Sequence, residues 1–263
     1  MIRFGICGGA ESVSRFENAA AQKLDYAELN ICQLRGFSAQ ERTEVRSRMA
    51  GLGLPVEAFN GMFKKERFFG EAATPVQELW DAVRLSAEIA SDFGAEVIVL
   101  GSGKSRAIPE GMEQARAEDR FLAFLDGCAE ILRGSAVKIA IEPLRTAETN
   151  FINTFRSCVE LTDKLGRPEI GPLVDFFHFW SNGEPLADLA PAEGRLLHAH
   201  LARPDTSRGA PKQEDEKILR AWAEELKKTG YDGRLSLECG WSADETLQAQ
   251  QMRSARNLLS VFA

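Results

Sequence analysis

The sequence predicts an α/β fold, a (β/α)8 barrel that occupies residues 1–263 as a single domain. Eight short apolar runs alternate with helical segments, at an average spacing of about 33 residues (263/8), and such barrels usually have ~250 residues. The main alternative, an open doubly wound sheet, is disfavoured because no Gly-x-Gly-x-x-Gly follows any of the runs.

The predicted strands are apolar throughout and do not alternate with polar residues. Val97-Ile98-Val99-Leu100 is an example, and this pattern is typical of parallel strands that are covered on both faces. The eight predicted strands are Arg3–Cys7, Tyr26–Asn30, Pro55–Phe59, Val97–Gly101, Val137–Glu142, Gly171–Asp175, Leu196–His200 and Leu235–Glu238.

Several predicted helices begin with a capping box, in which a hydroxyl residue is followed three positions later by Glu or Gln. The pairs are Ser38 with Glu41, Thr74 with Gln77, and Ser242 with Glu245. Apolar residues at helical spacing predict a helix around Phe121–Leu132, and further helices are expected over Asn153–Leu165 and Asp215–Lys228.

Composition narrows the classes of partner. The chain has 32 Lys and Arg against 39 Asp and Glu, a formal net charge of −7, which disfavours a phosphate backbone. The five cysteines form no Cys-x-x-Cys and are odd in number, so free thiols in a reducing compartment are expected. Because no apolar run approaches the ~18–20 residues of a membrane span and the first residues lack a signal peptide's apolar stretch, we expect a cytoplasmic protein without nucleic-acid or membrane partners.

Four of the predicted strands, the fifth to the eighth, end in residues that bind metals. These residues are Glu142, Asp175, His200 and Glu238. One acid at a strand end is usually only solvated, but the carboxyl ends of all barrel strands open on one face, so these four side chains should converge there. Three carboxylates so close together repel one another unless a cation lies between them.

The donors are three carboxylates and one imidazole, without thiolates. This set suits one divalent ion, which could be Mn²⁺, Mg²⁺, Co²⁺ or Zn²⁺, and it argues against a structural zinc site. A carboxylate beside a bound metal can also remove a proton from the carbon next to a carbonyl. The carboxylate acts as the base, and the metal stabilises the negative oxygen of the enediolate that forms.

Four short motifs resemble those of the xylose isomerase-like barrel superfamily. They are Glu142-Pro143-Leu144 with Glu148, Asp175 with His178, His198-Ala199-His200, and Leu237-Glu238. The resemblance is to the sugar isomerase and epimerase branch, which includes ketose 3-epimerases, hydroxypyruvate isomerases and inosose-processing enzymes. It spans the chain, although its motifs lie in the second half.

The resemblance implies a role for each matching residue. Glu142, Asp175, His200 and Glu238 would bind one divalent metal, usually Mn²⁺, and the two glutamates would act as acid and base on opposite faces of the substrate. Glu148 and His178 would hold substrate hydroxyls, as would an arginine in the loop after the seventh strand, Arg208 or Arg203. The implied function is a metal-dependent isomerase or epimerase of a small keto-sugar or keto-polyol, and relatives are often homodimers or homotetramers.

Three further residues are candidates for the mouth of the barrel. Glu57, near the end of the third predicted strand, would contact substrate or pair with Lys64. Trp241 would stack on a sugar face or pack at the rim. His198 shares a strand face with His200, one layer deeper, so it should support the ligands without binding metal itself.

Three other functions compete with the isomerase or epimerase, and the residues argue against the last two. A lyase of the inosose dehydratase kind would use the same metal and base. An AP endonuclease-like nuclease needs three zinc ions held by many histidines, whereas this chain has three in total. A non-catalytic sugar-binding barrel would have no need of all four ligands.

The loop after the eighth strand, Cys239–Ser242, carries no basic residue that could bind a phosphate group. We therefore expect an unphosphorylated substrate.

Overall fold

A computed structural model describes all residues, 1–263, and shows eight parallel strands that close into a barrel in the order β1 to β8. The strands are β1 (Arg3–Gly8), β2 (Tyr26–Asn30), β3 (Val56–Asn60), β4 (Val97–Leu100), β5 (Lys138–Ile141), β6 (Ile170–Asp175), β7 (His198–Leu201) and β8 (Arg234–Leu237). Each predicted strand agrees with its observed counterpart to within two residues at either end. The (β/α)8 prediction is therefore confirmed.

Helices connect successive strands on the outside of the barrel. They are α1 (Val13–Ala21), α2 (Ile31–Arg35), α3 (Ala39–Gly51), α4 (Val76–Phe93), α5 (Gly103–Arg106), α6 (Gln114–Leu132), α7 (Phe155–Leu165), α8 (Phe176–Ser181), α9 (Glu216–Lys228) and α10 (Glu245–Leu258). The short helices α2 and α8 directly follow β2 and β6, and α5 begins shortly after β4; these three helices were not predicted from the sequence. No helix is both long enough and apolar enough to cross a membrane.

Two apolar cores hold the barrel together. The larger, of 61 buried residues, lies between the outer faces of the strands and the helices. The smaller, of six residues, fills the inside of the barrel and includes Tyr26. The Tyr26 ring lies directly against the main chain of Gly5, where a Cβ would stand 2.3 Å from the ring, so only glycine fits in that layer of β1.

The helix starts were predicted with mixed success. Ser38 and Glu41 form the expected capping box. Thr74 does not cap α4, because its hydroxyl accepts the N–H of Arg67 at 3.0 Å. Ser242 does not cap α10 either, since Asp244 accepts the N–H of Leu247 at 2.8 Å and is the cap. Both failures have one cause: a hydroxyl near a helix start also has other donors within reach.

The prediction that Glu57 lies at the mouth is wrong. Glu57 is the second residue of β3, and its carboxylate lies at the opposite, amino-terminal end of the barrel. There it accepts from Nε of Arg234 at 2.8 Å and from Nε of Arg3 at 3.0 Å, residues with which β8 and β1 begin. Glu57 lies near the beginning of β3, whereas Asn60 is the residue at the carboxyl end of that strand and marks the mouth.

Candidate metal and active site

The structure brings together the four residues at the ends of β5 to β8. These residues, which we call the quartet, are Glu142, Asp175, His200 and Glu238, and one donor atom from each lies within 4.8 Å of the others. Nδ1 of His200 is 3.3 Å from an oxygen of Glu142 and 3.3 Å from an oxygen of Glu238, so the two glutamates lie close to the same imidazole nitrogen. Asp175 is the direct neighbour of His200 in the register of β6 and β7.

Local structure fixes where each carboxylate points. Asp175 ends β6 and caps α8: its Oδ1 accepts the N–H groups of Phe177 (2.7 Å) and His178 (3.3 Å), which leaves Oδ2 for the site. Glu142 follows β5, and its Oε2 lies over the main chain of Gly101. A Cβ at Gly101 would stand 2.2 Å from that oxygen, so the end of β4 forms a cradle for Glu142.

In the quartet, burial and the neighbouring charges shift the pKa values of Glu142 and Asp175 in opposite directions. Burial and the neighbouring Glu238 raise the pKa of Glu142, although His200 opposes them. Burial would also raise the pKa of Asp175, but His178, Arg208 and His200 outweigh it and lower that pKa to about 2. The donor set thus fits a divalent cation, because oxygen and imidazole ligands with surplus negative charge surround one point.

His178 lies beside the quartet on α8 and is 1% exposed. Its Nδ1 accepts the N–H of Arg145 at 3.4 Å, which places the ring proton on Nε2. Nε2 has no hydrogen-bond partner and lies 3.5 Å from Oδ2 of Asp175 and 3.9 Å from Oε1 of Glu142. A buried N–H without an acceptor next to the quartet suits a substrate oxygen.

Of the two arginines considered for the loop after β7, the structure places Arg208 at the carboxylates. Its guanidinium donates to Oδ2 of Asp175 at 2.7 Å, contacts Glu238 and lies over the ring of Phe177 at 4.9 Å. Arg203 instead pairs with Asp205 at 2.8 Å and with other acids of its own loop. Arg203 therefore contacts acids of its own loop and not the quartet, and of the two candidates Arg208 is the one that lies beside the ligands.

The remaining candidates lie at the rim or in the core. Glu148 is about one-third exposed and accepts from Nε of Arg145 at 2.8 Å, and the guanidinium of Arg145 lies over the Phe177 ring. This arrangement keeps Glu148 at the mouth but outside the quartet. Trp241 is partly buried and packs against the larger core, which favours the packing role over the stacking role.

Sequence reasoning missed one residue that belongs to this site. Glu28, on β2, is fully buried, and its carboxylate accepts from Nε2 of His198 at 2.7 Å and from Nε2 of His200 at 3.0 Å. His198 thus contacts Glu28 and lies behind the quartet, where strand alternation placed it. A signal did exist: Glu28 is an acid within a strand that is otherwise buried, two residues before the strand ends.

A second group of possible ligands, Cys7 with Glu28 and His200, shares His200 with the quartet. The oxygens of Glu28 already accept from the two imidazoles and from the hydroxyl of Ser236 at 2.6 Å. This group is therefore the hydrogen-bonded floor of the site and offers no independent set of free ligands.

A parallel eight-stranded barrel with three carboxylates and an imidazole at the carboxyl ends of its last four strands defines a known class. The model of the xylose isomerase-like TIM barrel family matches residues 16–258, and the chain belongs to that family.

Curated relatives and solved structures agree with this assignment. The chain is 29% identical over 123 residues to an inosose isomerase of Halalkalibacterium halodurans, and 29% identical over 111 residues to a probable ketose 3-epimerase of Synechocystis. These matches span 42% of this chain and only 42% and 38% of the two relatives. A solved structure of the protein IOLI with a bound zinc atom is similar in fold, with a TM-score of 0.76, 18% identity, and coverage of 99% of this chain and 98% of that one.

Proposed function

We propose that this chain is a divalent-metal-dependent isomerase or epimerase of a small keto-sugar or keto-polyol. The observation that carries the proposal is the quartet, in which Glu142 and Glu238 come from different sides of the barrel and lie within 3.3 Å of the same nitrogen of His200. The relatives named as inosose isomerase and ketose 3-epimerase support the same class of substrate.

Glu142, Asp175, His200 and Glu238 would hold the metal, with Mn²⁺ favoured and Mg²⁺, Co²⁺ or Zn²⁺ as alternatives. When bound, a divalent ion supplies a Lewis acid for the negative charge that develops on a carbonyl oxygen. The buried cradle at Gly101 keeps Glu142 in place for this role.

The protein's own groups would move the proton. One of the two glutamates removes it from the carbon next to the carbonyl, and the other returns a proton, which inverts the centre if it does so from the opposite face. The free Nε2–H of His178 would donate to a substrate oxygen, and Arg208 and Glu148 would orient hydroxyl groups. These contacts hold the reacting carbon within reach of the glutamates.

Several finer expectations stay predictions: an unphosphorylated substrate, a cytoplasmic location and a homodimer or homotetramer. The substrate prediction has some structural support. Of the two arginines in the loop after β7, Arg203 is paired with acids and Arg208 contacts the quartet, so neither is left free for a phosphate.

The experiment is proton exchange in D₂O with Mn²⁺-supplemented enzyme, using ketoses, keto-inositols and hydroxypyruvate as separate substrates. Deuterium should enter the carbon next to the carbonyl, and Glu238→Gln should abolish the exchange because it removes a base and a ligand together. The matched control is Glu57→Gln, the same chemical change at the opposite end of the barrel, which should keep the exchange.

The products then separate the remaining alternatives. Deuterated epimer or isomer supports the proposal, whereas a product that has lost water identifies a lyase on the same site. Absence of exchange with every substrate class, in enzyme shown to contain the metal, would contradict the proposal.

A further inference from the structure

A carboxylate is buried in the centre of the barrel, beneath the quartet. Glu28 on β2 is fully buried, as are its partners His198, His200 and Ser236. Oε1 of Glu28 accepts from Nε2 of His200 at 3.0 Å, while Oε2 accepts from Nε2 of His198 at 2.7 Å and from the hydroxyl of Ser236 at 2.6 Å. The phenol of Tyr26 lies 2.7 Å from that hydroxyl and extends the network across the barrel.

The contact between Oε1 of Glu28 and His200 determines which nitrogen of the His200 ring faces the mouth of the barrel. An ionised carboxylate can only accept hydrogen bonds, so Nε2 of His200 must carry a proton in this contact. The other nitrogen, Nδ1, is then the one that faces Glu142 and Glu238, at 3.3 Å from each. The ring also has little freedom to rotate, because it is held between Glu28 on one side and the quartet on the other.

We propose that Glu28 is a positioning residue that fixes the orientation and tautomer of His200 and so sets the metal affinity of the quartet. This inference rests on the proposed function to the extent that the quartet binds a divalent ion. His198 and Ser236 both bond to Oε2, and they hold the carboxylate so that Oε1 is directed to His200 alone. Partners of this kind behind a metal ligand typically change metal affinity by ~10–100-fold.

The competing explanation is that Glu28 only fills the barrel interior. Glu28→Gln distinguishes the two because it keeps the shape of the side chain and replaces one oxygen by an NH₂ group. If that group faces His200, then Nε2 must accept, and the ring proton moves to Nδ1 where the metal would bind. If it faces His198 and Ser236, the amide oxygen still accepts from Nε2 of His200, but the negative charge that makes the imidazole a more basic ligand is lost. Either outcome weakens the ligand without a change in volume.

The test measures Zn²⁺ affinity by competition with a chromophoric chelator, without substrate. Glu28→Gln should bind Zn²⁺ about 10–100-fold more weakly than the wild type. The matched control is Glu57→Gln, the same chemical change at the amino-terminal end of the barrel, where the carboxylate bonds to Arg3 and Arg234, and it should change Zn²⁺ affinity less than about threefold. In parallel, ¹⁵N-edited NMR of the Zn²⁺-loaded wild type should show a downfield Nε2–H for His200 and a non-protonated Nδ1.

Several results would overturn the inference: Zn²⁺ affinity of Glu28→Gln within threefold of the wild type, an equal loss in Glu57→Gln, or wild-type protein that does not bind Zn²⁺. If Glu28→Gln fails to fold, the wild-type NMR experiment still decides, because a proton on Nδ1 of His200 in the Zn²⁺-loaded protein contradicts the geometry. None of these measurements needs turnover. Weak Zn²⁺ binding in Glu28→Gln together with no proton exchange in the wild type would thus support the positioning role and refute the proposed reaction.

Discussion

At the scale of single residues, the side chains at the mouth differ in how directly they contact the quartet. Asp175 and His200 lie within it, while His178 lies 3.5 Å from Oδ2 of Asp175 with its ring proton unpaired. Glu148 is held further out by Arg145. This gradation leads us to expect different consequences when the ligands and their neighbours are changed.

Glu148→Gln and His178→Asn should keep the fold and the metal, and each should lower kcat/KM by ~10–10³-fold, because the reacting carbon is then held less well. Metal content and proton exchange, measured on the same preparations, check this. Loss of metal in His178→Asn would make His178 a ligand, and full activity in Glu148→Gln would make Glu148 an ordinary loop acid.

Glu184 offers a test of pH dependence away from the quartet. Burial raises its pKa to about 7, although its carboxylate accepts the N–H of Phe155 at the start of α7. An acid whose pKa is raised in the folded state contributes stability that is fully present below pH ~4.5 and is lost as the pH rises through about 7.

Glu184→Gln stays neutral at every pH, so it should gain stability relative to the wild type by about 1 kcal/mol between pH 4.5 and pH 8, after allowance for partial exposure of the carboxylate. Thermal unfolding of both proteins at the two pH values measures this. A difference in Tm that does not change with pH would show that Glu184 ionises normally in the folded protein.

At the scale of helices and strands, the capping residues decide where chain segments turn. Asp244 accepts the N–H of Leu247 at the start of α10, whereas the hydroxyl of Ser242 accepts the N–H of Asp244 in the loop before that helix. Asp244→Ala should therefore cost about 1 kcal/mol, or ~2–4 °C in Tm.

Ser242→Ala is the matched control and should change stability by less than half as much, because its hydroxyl caps no helix. Denaturant unfolding of the two variants compares them. An equal loss in both would restore Ser242 to the capping role that its spacing to Glu245 predicts.

At the scale of the whole molecule, the two ends of the barrel have different tasks. The carboxyl end holds the quartet, whereas at the amino end Glu57 on β3 joins Arg3 and Arg234 from β1 and β8. These charged hydrogen bonds link strands across the barrel, and Glu57 is well covered, with 13% of its side chain exposed.

Glu57→Gln should destabilise the fold by about 1–3 kcal/mol while kcat/KM and metal content stay within twofold of the wild type. Unfolding and activity measured on one preparation would show whether stability and function separate in this way. A fall in activity without a change in stability would contradict this and would support the role at the mouth that the sequence predicts for Glu57.

The alternation of apolar runs and helical segments was sufficient to predict the barrel, because a parallel strand that is covered on both faces is apolar throughout its length. The ligands Glu142, Asp175, His200 and Glu238 could be found for a related reason: each stands at the carboxyl end of a strand, and the topology brings all such ends to one face.

The partners of those ligands could not be found in the same way. Arg203 and Arg208 lie in one loop and differ only in which acids the folded loop brings to them. Glu28 and Glu57 each lie within a strand, but Glu28 meets two histidines more than 160 positions away, and Glu57 meets two arginines at the other end of the barrel. The sequence determines a residue's position along its own strand. The residue's partners depend on the register and closure of strands that are distant in sequence, and this register and closure exist only in the folded barrel.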